Sequence, residues 1–199
     1  MICDGDIIEV DGYRFMVGID HDQDMGAPWD EHDGHGPVSE WTSRDKRPGE
    51  VKVNSERGSY RYYDLAEANR IAKRDGWGLA EKDKAELAKQ LGREPTRGEI
   101  RAAAVRKDLD YIEGWCNDSW QWQWVRVVLV VGEDDEEDTS FEDSLGGIDG
   151  SDDDYIEECA RDMIDGLVRR LQKRDRDEAA ADRADRIRDA TRAVSRLYS

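Results

Sequence analysis

The stretch from residue 120 to residue 131, Trp-Gln-Trp-Gln-Trp-Val-Arg-Val-Val-Leu-Val-Val, is the most strand-like segment of the chain. Three tryptophans alternate with glutamines, and the apolar residues then run continuously from Val127 to Val131. Alternation followed by an apolar run is typical of a strand inside a sheet. We predict a central strand with Trp120, Trp122 and Trp124 on one face. A core or a protein-binding face suits these aromatics better than a base-stacking platform.

The segments upstream of this strand carry further β signals. Two β-type runs, 7–10 and 13–19, flank Asp11-Gly12, a strong two-residue hairpin signal. Residues 20–50 are rich in Asp, Gly, Pro and His without a sustained period, so we predict a long loop ordered by Trp29 and Trp41. Residues 59–63 predict a short aromatic strand.

The remaining patterns are helical. Asp64 and Gly76 bound one predicted helix, Gly92 ends a second, and Thr96 with Glu99 forms a capping box for a third. Further helices are predicted from 151 to 174 and from 176 to 197. In the last one, residues at alternating spacings of four and three form a narrow seam that fits docking on the chain's own domain or a homodimer: Ala180, Ala184, Ile187, Thr191, Val194 and Tyr198.

Together these patterns predict an α+β fold, with a small antiparallel sheet of about four strands packed against helices. The predicted body covers residues 1–132, with the acidic, histidine-containing loop 20–50 and a helical hairpin at 80–115. An acidic linker at 133–150 and C-terminal helices at 151–199 are expected to follow.

The net charge of −18 is concentrated in two segments. Residues 1–40 hold eleven acids and one base, and residues 133–158 hold fourteen acids and no base. Such a field repels nucleic acid and anionic membranes and attracts basic surfaces. We therefore expect a basic protein partner and no direct binding to nucleic acid or membrane.

Location is predicted from what the sequence lacks. It contains no run of about 18 apolar residues, as a membrane-spanning helix needs, and its N-terminus lacks the pattern of a signal peptide. The three cysteines are widely spaced and form no disulfide framework or metal motif. Free thiols are typical of a reducing cytoplasm, which is the predicted location.

The acidic segment at 133–158 suggests a function. A partly helical segment rises about 1.5 Å per residue, so its carboxylates would match the charge density of duplex DNA, about one per 1.7 Å. Such a protein can mimic DNA and occupy the basic groove of a nuclease. A solvated linker is the alternative interpretation. The predicted partner-binding residues are Glu133, Asp134, Asp135, Glu136, Glu137, Asp138, Glu142, Asp143, Asp152, Asp153 and Asp154.

The loop at 20–35 suggests an alternative function, a metal-binding protein or metal-dependent enzyme. Its aspartates at 20, 22 and 24, with Glu31, fall at positions of a calcium loop, but Met25 stands where that loop needs glycine. All three histidines lie in the same loop. A polar surface loop is the favoured interpretation, and no cofactor or catalytic residue is predicted. The candidate ligands, if a metal binds, are His21, Asp22, Asp24, His32 and His35.

Residues 87–100 resemble the helical signature of region 3 of bacterial sigma factors, in a segment that reads Leu-Ala-Lys-Gln-Leu-Gly-Arg-Glu-Pro-Thr-Arg-Gly-Glu-Ile. The resemblance implies a third function, a transcription-related adaptor that acts through the hairpin at 80–107. Its basic residues Arg93, Arg97 and Arg101 would make the contacts.

Separated pieces of the chain resemble a set of uncharacterised acidic proteins of tailed phages and prophages. They lie at residues 27–38, 47–50, 74–77, 115–120 and 144–148. The resemblance implies phage origin and brings no assigned activity. Together with the acidic charge, it predicts a non-enzymatic inhibitor in the bacterial host cell that blocks a defence complex such as a CRISPR or restriction nuclease.

Overall fold

The computed structural model describes the backbone of residues 1–197 and the side chains of residues 1–192. The predicted α+β class is confirmed. In chain order the elements are β1 (Ile7–Val10), β2 (Tyr13–His21), α1 (Pro28–Glu31), β3 (Glu50–Glu56), β4 (Ser59–Asp64), α2 (Leu65–Asp75), α3 (Glu81–Leu91), α4 (Arg97–Cys116), β5 (Trp122–Val131), β6 (Glu136–Asp149) and α5 (Asp153–Leu197).

The chain forms two compact units, which differ from the predicted body, linker and tail. Met1–Asp22 and Trp122–Ser199 form one unit, here called the terminal unit. Gln23–Gln121 form the other, the central unit. The predicted body of 1–132 is therefore divided between the two units. Its N-terminal hairpin and β5 share a sheet with β6 and a core with α5, whereas residues 23–121 form the central unit.

The terminal unit contains a four-stranded antiparallel sheet in the order β1-β2-β5-β6. Strand β5 lies between β2 and β6, so its predicted central position is confirmed. Asp11 and Gly12 both adopt positive φ angles, 53° and 81°, as a tight turn between twisted strands requires.

Helix α5 covers one face of this sheet. Alternation along β2 and β5 puts Phe15, Val17, Val125 and Val127 on that face, where they are buried. The apolar stripe of α5 from Ile156 to Leu171 packs against them. Burial of large side chains on both sides supplies the core that holds the helix to the sheet.

The acidic linker predicted at 133–150 is wrong. Most of this segment is the edge strand β6, which pairs with β5 from Glu136 to Asp149. An edge strand needs ladder bonds on one side only, so exposed carboxylates are compatible with it. The predicted break between two C-terminal helices is also wrong, because residues 172–178 contain neither Gly nor Pro and α5 runs through them.

The central unit packs the β3–β4 ribbon against α2 and α4. Its core contains Val53, Tyr63, Val105, Leu109 and Ile112. The helix boundaries predicted from sequence are confirmed at the N-caps: the Asp64 carboxylate accepts the N–H of residue 67, and the capping box of α4 is complete.

The loop predicted at 20–50 is ordered in part by single bridges to β4. Val38 pairs with Tyr63, and Thr42 pairs with Tyr60. The guanidinium of Arg61 lies 5.1 Å from the Trp29 ring centroid and 4.9 Å from that of Trp41. The two tryptophans thus hold the loop against β4, as the sequence suggested.

The tryptophans of 120–124 do not form a shared buried face. Trp120 precedes β5 and lies in the central unit, where its Nε1 donates to the Tyr111 carbonyl oxygen at 2.9 Å. Trp122 is buried, whereas Trp124 is 37% exposed. No helix in the described part of the chain is long and apolar enough to cross a membrane.

Candidate functional site

The predicted partner-binding carboxylates lie on ordered elements of the terminal unit. They occupy the turn between β5 and β6, strand β6 itself and the start of α5. All are exposed except Asp135 and Asp138, which are half-buried. We call residues 133–143 and 152–154 together the acidic face, a name that covers carboxylates on both sides of the sheet.

Part of the acidic face is neutralised by arginines of the same sheet. The Arg126 Nη2 atom lies 2.8 Å from a carboxylate oxygen of Glu137 and 2.8 Å from one of Glu142. The hydrogen bond from Arg126 lowers the pKa of the Glu137 carboxyl. Similarly, Arg14 Nη2 lies 2.5 Å from an oxygen of Asp135. These three carboxylates are therefore poor candidates for partner contacts.

The other predicted carboxylates form no ion pair with any side chain in residues 1–192. Some have local roles: Asp152 Oδ1 accepts the backbone N–H groups of residues 154 and 155 at 3.1 and 3.3 Å and so caps α5. The carboxylates without an internal cation are Glu133, Asp134, Glu136, Asp138, Asp143, Asp152, Asp153 and Asp154.

The strand conformation changes the predicted charge spacing. A strand advances about 3.3 Å per residue rather than about 1.5 Å. Successive side chains also point to opposite faces of the sheet, so carboxylates on one face recur no more closely than about 6.6 Å. The predicted match to the charge density of duplex DNA assumed a partly helical segment. It is therefore wrong for residues 136–149.

The outer edge of β6 is protected by the chain's own side chains. Arg170 donates to the carbonyl oxygens of Ser140 and Glu142 at 3.4 and 3.5 Å. The N–H of Ser144 donates to the Asp143 carboxylate at 2.9 Å. Because these backbone groups are occupied, the edge resists pairing with a further strand.

The predicted metal ligands are divided between the two units. His21 and Asp22 belong to the terminal unit, and Asp24, His32 and His35 belong to the central unit. The Asp22 carboxylate accepts the N–H of Gly147 at 2.7 Å. Within the described residues, no group of three His, Cys, Asp or Glu side chains is placed to hold a metal ion.

A partly buried hydrogen-bond network in the central unit engages one of these histidines. The Asp108 carboxylate accepts from His35 Nδ1 at 2.6 Å, from the N–H of Gly36 at 2.7 Å and from Tyr63 Oη at 2.6 Å. The His35 ring stacks on Tyr111 at 5.4 Å between centroids. Burial first, and then the bond to Asp108, raises the pKa of Tyr63. The network fastens the loop to α4.

Sequence reasoning missed this network because its members are far apart. Asp108 follows His35 by 73 positions and Tyr63 by 45. No spacing rule links residues on a loop, a strand and a helix at such separations.

The hairpin that resembles a sigma-factor signature uses one of its arginines internally. Arg93 donates to both oxygens of Glu99, at 3.0 and 2.5 Å. The bonds from Arg93 and Thr96 lower the pKa of Glu99 to about 2. Arg93 therefore stabilises the turn before α4, and it is a poor candidate for contacting DNA.

The end of α5 projects beyond the core. All side chains from Asp175 to Arg192 are exposed. The predicted seam at Ala180, Ala184 and Ile187 begins nine residues after the buried Leu171, about two and a half turns, so it faces away from the side that packs on the sheet. Two further members of the predicted seam, the side chain of Val194 and Tyr198, lie outside the described part of the chain.

No protein-family model, curated protein or solved structure matches the chain. The resemblances to phage proteins and to sigma factors therefore stay predictions from sequence.

Proposed function

We propose that the protein is a phage-type inhibitor whose acidic face binds a basic, nucleic-acid-binding host protein and excludes nucleic acid from it. One observation carries the proposal: a group of exposed carboxylates lies on ordered backbone and forms no ion pair with any side chain of residues 1–192. The target class is a defence complex in the bacterial cytoplasm, such as a CRISPR or restriction nuclease, whose DNA groove is basic.

The ordered backbone favours this mode of binding. A disordered acidic linker would lose conformational entropy when it met a partner, which weakens binding. In β6 the backbone is already ordered by folding, so this loss of conformational entropy does not oppose binding. Unpaired charges held in fixed positions also raise the rate at which an oppositely charged surface docks.

Protection of the sheet edge is a simpler role for some of the acids. Charged residues at an edge strand prevent pairing with other chains, and this role suits Asp138 and Asp143, which lie within β6. It does not explain Glu133 and Asp134, which precede the strand. Partner binding accounts for both groups.

The test compares two triple variants of the full chain. One removes three acids of the acidic face (Glu133→Gln, Asp134→Asn, Glu136→Gln). The control removes three exposed acids of the other acidic segment (Asp30→Asn, Asp33→Asn, Glu40→Gln). Immobilised wild-type protein is incubated with nuclease-treated host lysate, and the affinity of each captured protein is then measured after purification, with duplex DNA as competitor.

We expect the first variant to weaken binding by about tenfold to a hundredfold, as loss of three charge contacts implies, and the control to change it far less. Affinity should fall as NaCl rises, and DNA should compete. Binding that is insensitive to salt, or equal losses in both variants, would contradict a localised acidic site. Failure to capture any DNA-binding protein would refute the proposal.

A further inference from the structure

We infer that a groove between β6 and α5 binds an arginine side chain of the basic partner, an inference that rests on the proposed function. The groove is open to solvent and has a volume of about 410 Å³. It combines an apolar floor with a rim of carboxylates, formed by Leu145, Tyr155, Met163, Asp143, Glu158 and Asp162.

The floor exposes large apolar side chains. Leu145 and Tyr155 are each 46% exposed, whereas Met163 belongs to the buried core beneath them. An apolar floor with a charged rim suits a side chain that is itself apolar along its length and charged at its end. The three-carbon stem of an arginine is apolar and packs on such a floor while its charged end reaches the rim.

Among the described side chains, the rim has no cation of its own. Asp143, Glu158 and Asp162 form no ion pair with any side chain of residues 1–192. All three are exposed at the mouth of the groove. Their negative charge complements a guanidinium and not an acidic or purely apolar group.

The same interface between β6 and α5 already holds two arginines further along the helix. Arg170 and Arg174 lie over the Phe141 ring, 5.6 and 4.8 Å from its centroid. Phe141 packs against the core that β6 shares with α5. Beside Phe141, helix α5 contributes arginines to this interface, whereas beside Leu145 it contributes acidic residues.

Arginine suits the groove better than lysine. Its planar guanidinium stacks on an aromatic face and binds carboxylates through two donors at once. Tyr155 provides the aromatic face, and the rim provides the carboxylates. A lysine ammonium would gain the charge attraction without the stacking.

The first experiment uses three acetylated, amidated pentapeptides, Gly-Ser-Xaa-Ser-Gly, with arginine, lysine or neutral citrulline at Xaa. Each is titrated into methyl-labelled full-length protein and followed by NMR. We expect the arginine peptide to shift the methyl signals of Leu145 and Met163 with a millimolar Kd, the lysine peptide to bind several-fold more weakly, and the citrulline peptide to cause no saturable shift. Equal shifts with arginine and citrulline would overturn the inference.

A double variant places the binding in the groove. Glu158→Gln with Asp162→Asn should weaken the arginine peptide at least fivefold, and Asp177→Asn with Asp182→Asn, exposed acids later on the same helix, should not. Unchanged affinity in the groove variant would also overturn the inference.

The same groove variant separates this inference from the proposed function. If the variant still captures the host partner with wild-type affinity, the partner does not bind through the groove, although the proposed function stands. If the wild-type protein captures no DNA-binding protein while its groove binds the arginine peptide, the proposed function fails and the arginine site stands.

Discussion

Replacement of Asp108 with alanine should strongly destabilise the central unit. The change removes the acceptor for three donors, one of which belongs to the wholly buried Tyr63. An unpaired buried hydroxyl costs about 1–3 kcal/mol. The donors of His35 and Gly36 each lose a bond to a charged group, but water can partly replace it. The total is about 3–5 kcal/mol, as for other broken buried charged contacts.

The assay must resolve the two units, since a single unfolding free energy is not defined if they unfold separately. Hydrogen exchange followed by mass spectrometry reports opening free energies by segment. We expect the amides of β3 and β4 to lose about 3–5 kcal/mol of protection and those of β5 to keep theirs. The control is Asp110→Ala on the same helix, which removes only an exposed pair with Arg106 and should cost about 0.5 kcal/mol or less.

A double-mutant cycle with Tyr63→Phe isolates the buried bond. Once the hydroxyl is absent, Asp108→Ala no longer leaves it unpaired, so the two losses should be less than additive by about 1 kcal/mol or more. Strict additivity, or equal losses for Asp108→Ala and Asp110→Ala, would refute the role assigned to the network.

Three further predictions concern other parts of the chain. A Cβ on Gly36 would lie 2.2 Å from the Tyr63 hydroxyl, so Gly36→Ala should lower the melting temperature markedly, whereas Gly78→Ala, which meets nothing within 4 Å, should not. Bonds from Arg44 lower the pKa of Glu50. The stability that these bonds contribute should therefore be present above pH 4.5 and lost as the pH falls through the folded-state pKa. Urea unfolding between pH 6 and 2 should show that stability depends less on pH in Glu50→Gln than in the wild type. Deletion of residues 179–199 should leave exchange protection of β2 and β5 unchanged, because the described side chains removed are exposed, and light scattering of the full and shortened chains tests the homodimer predicted through the seam.

The strands and helices predicted correctly are those whose signals are local. The Asp11-Gly12 turn specifies its hairpin through backbone conformation alone. The capping box at Thr96 and Glu99 likewise involves residues three positions apart. Strand β5 was recognisable because a central strand buries both faces and needs a continuous apolar run.

Strand β6 was missed because its period is interrupted twice. Its register with β5 shifts between Gln123 and Val125 and again between Val128 and Leu129. Each shift inserts extra residues in β6 and moves the following side chains out of step with an alternation of two. Its apolar residues Phe141, Leu145 and Ile148 therefore appear at spacings of four and three, and the carboxylates around them suggested a solvated segment.

The charge of the acidic segment was visible in the sequence, but its division between two faces of the sheet was not. Partners in the ladder share a face, so Glu137 and Glu142, opposite Val130 and Val128, lie on the face away from α5, where Arg126 reaches both.

Asp143, opposite the buried Val127, lies on the face that α5 covers. There it shares a groove rim with Glu158 and Asp162, which have no internal cation among the described side chains. Because Arg126 balances part of the charge on the first face, the basic partner proposed above would gain most by approaching from the side of α5. The single arginine on β5 thus determines which side of the acidic strand keeps its unpaired charge, and neither composition nor net charge specifies that side.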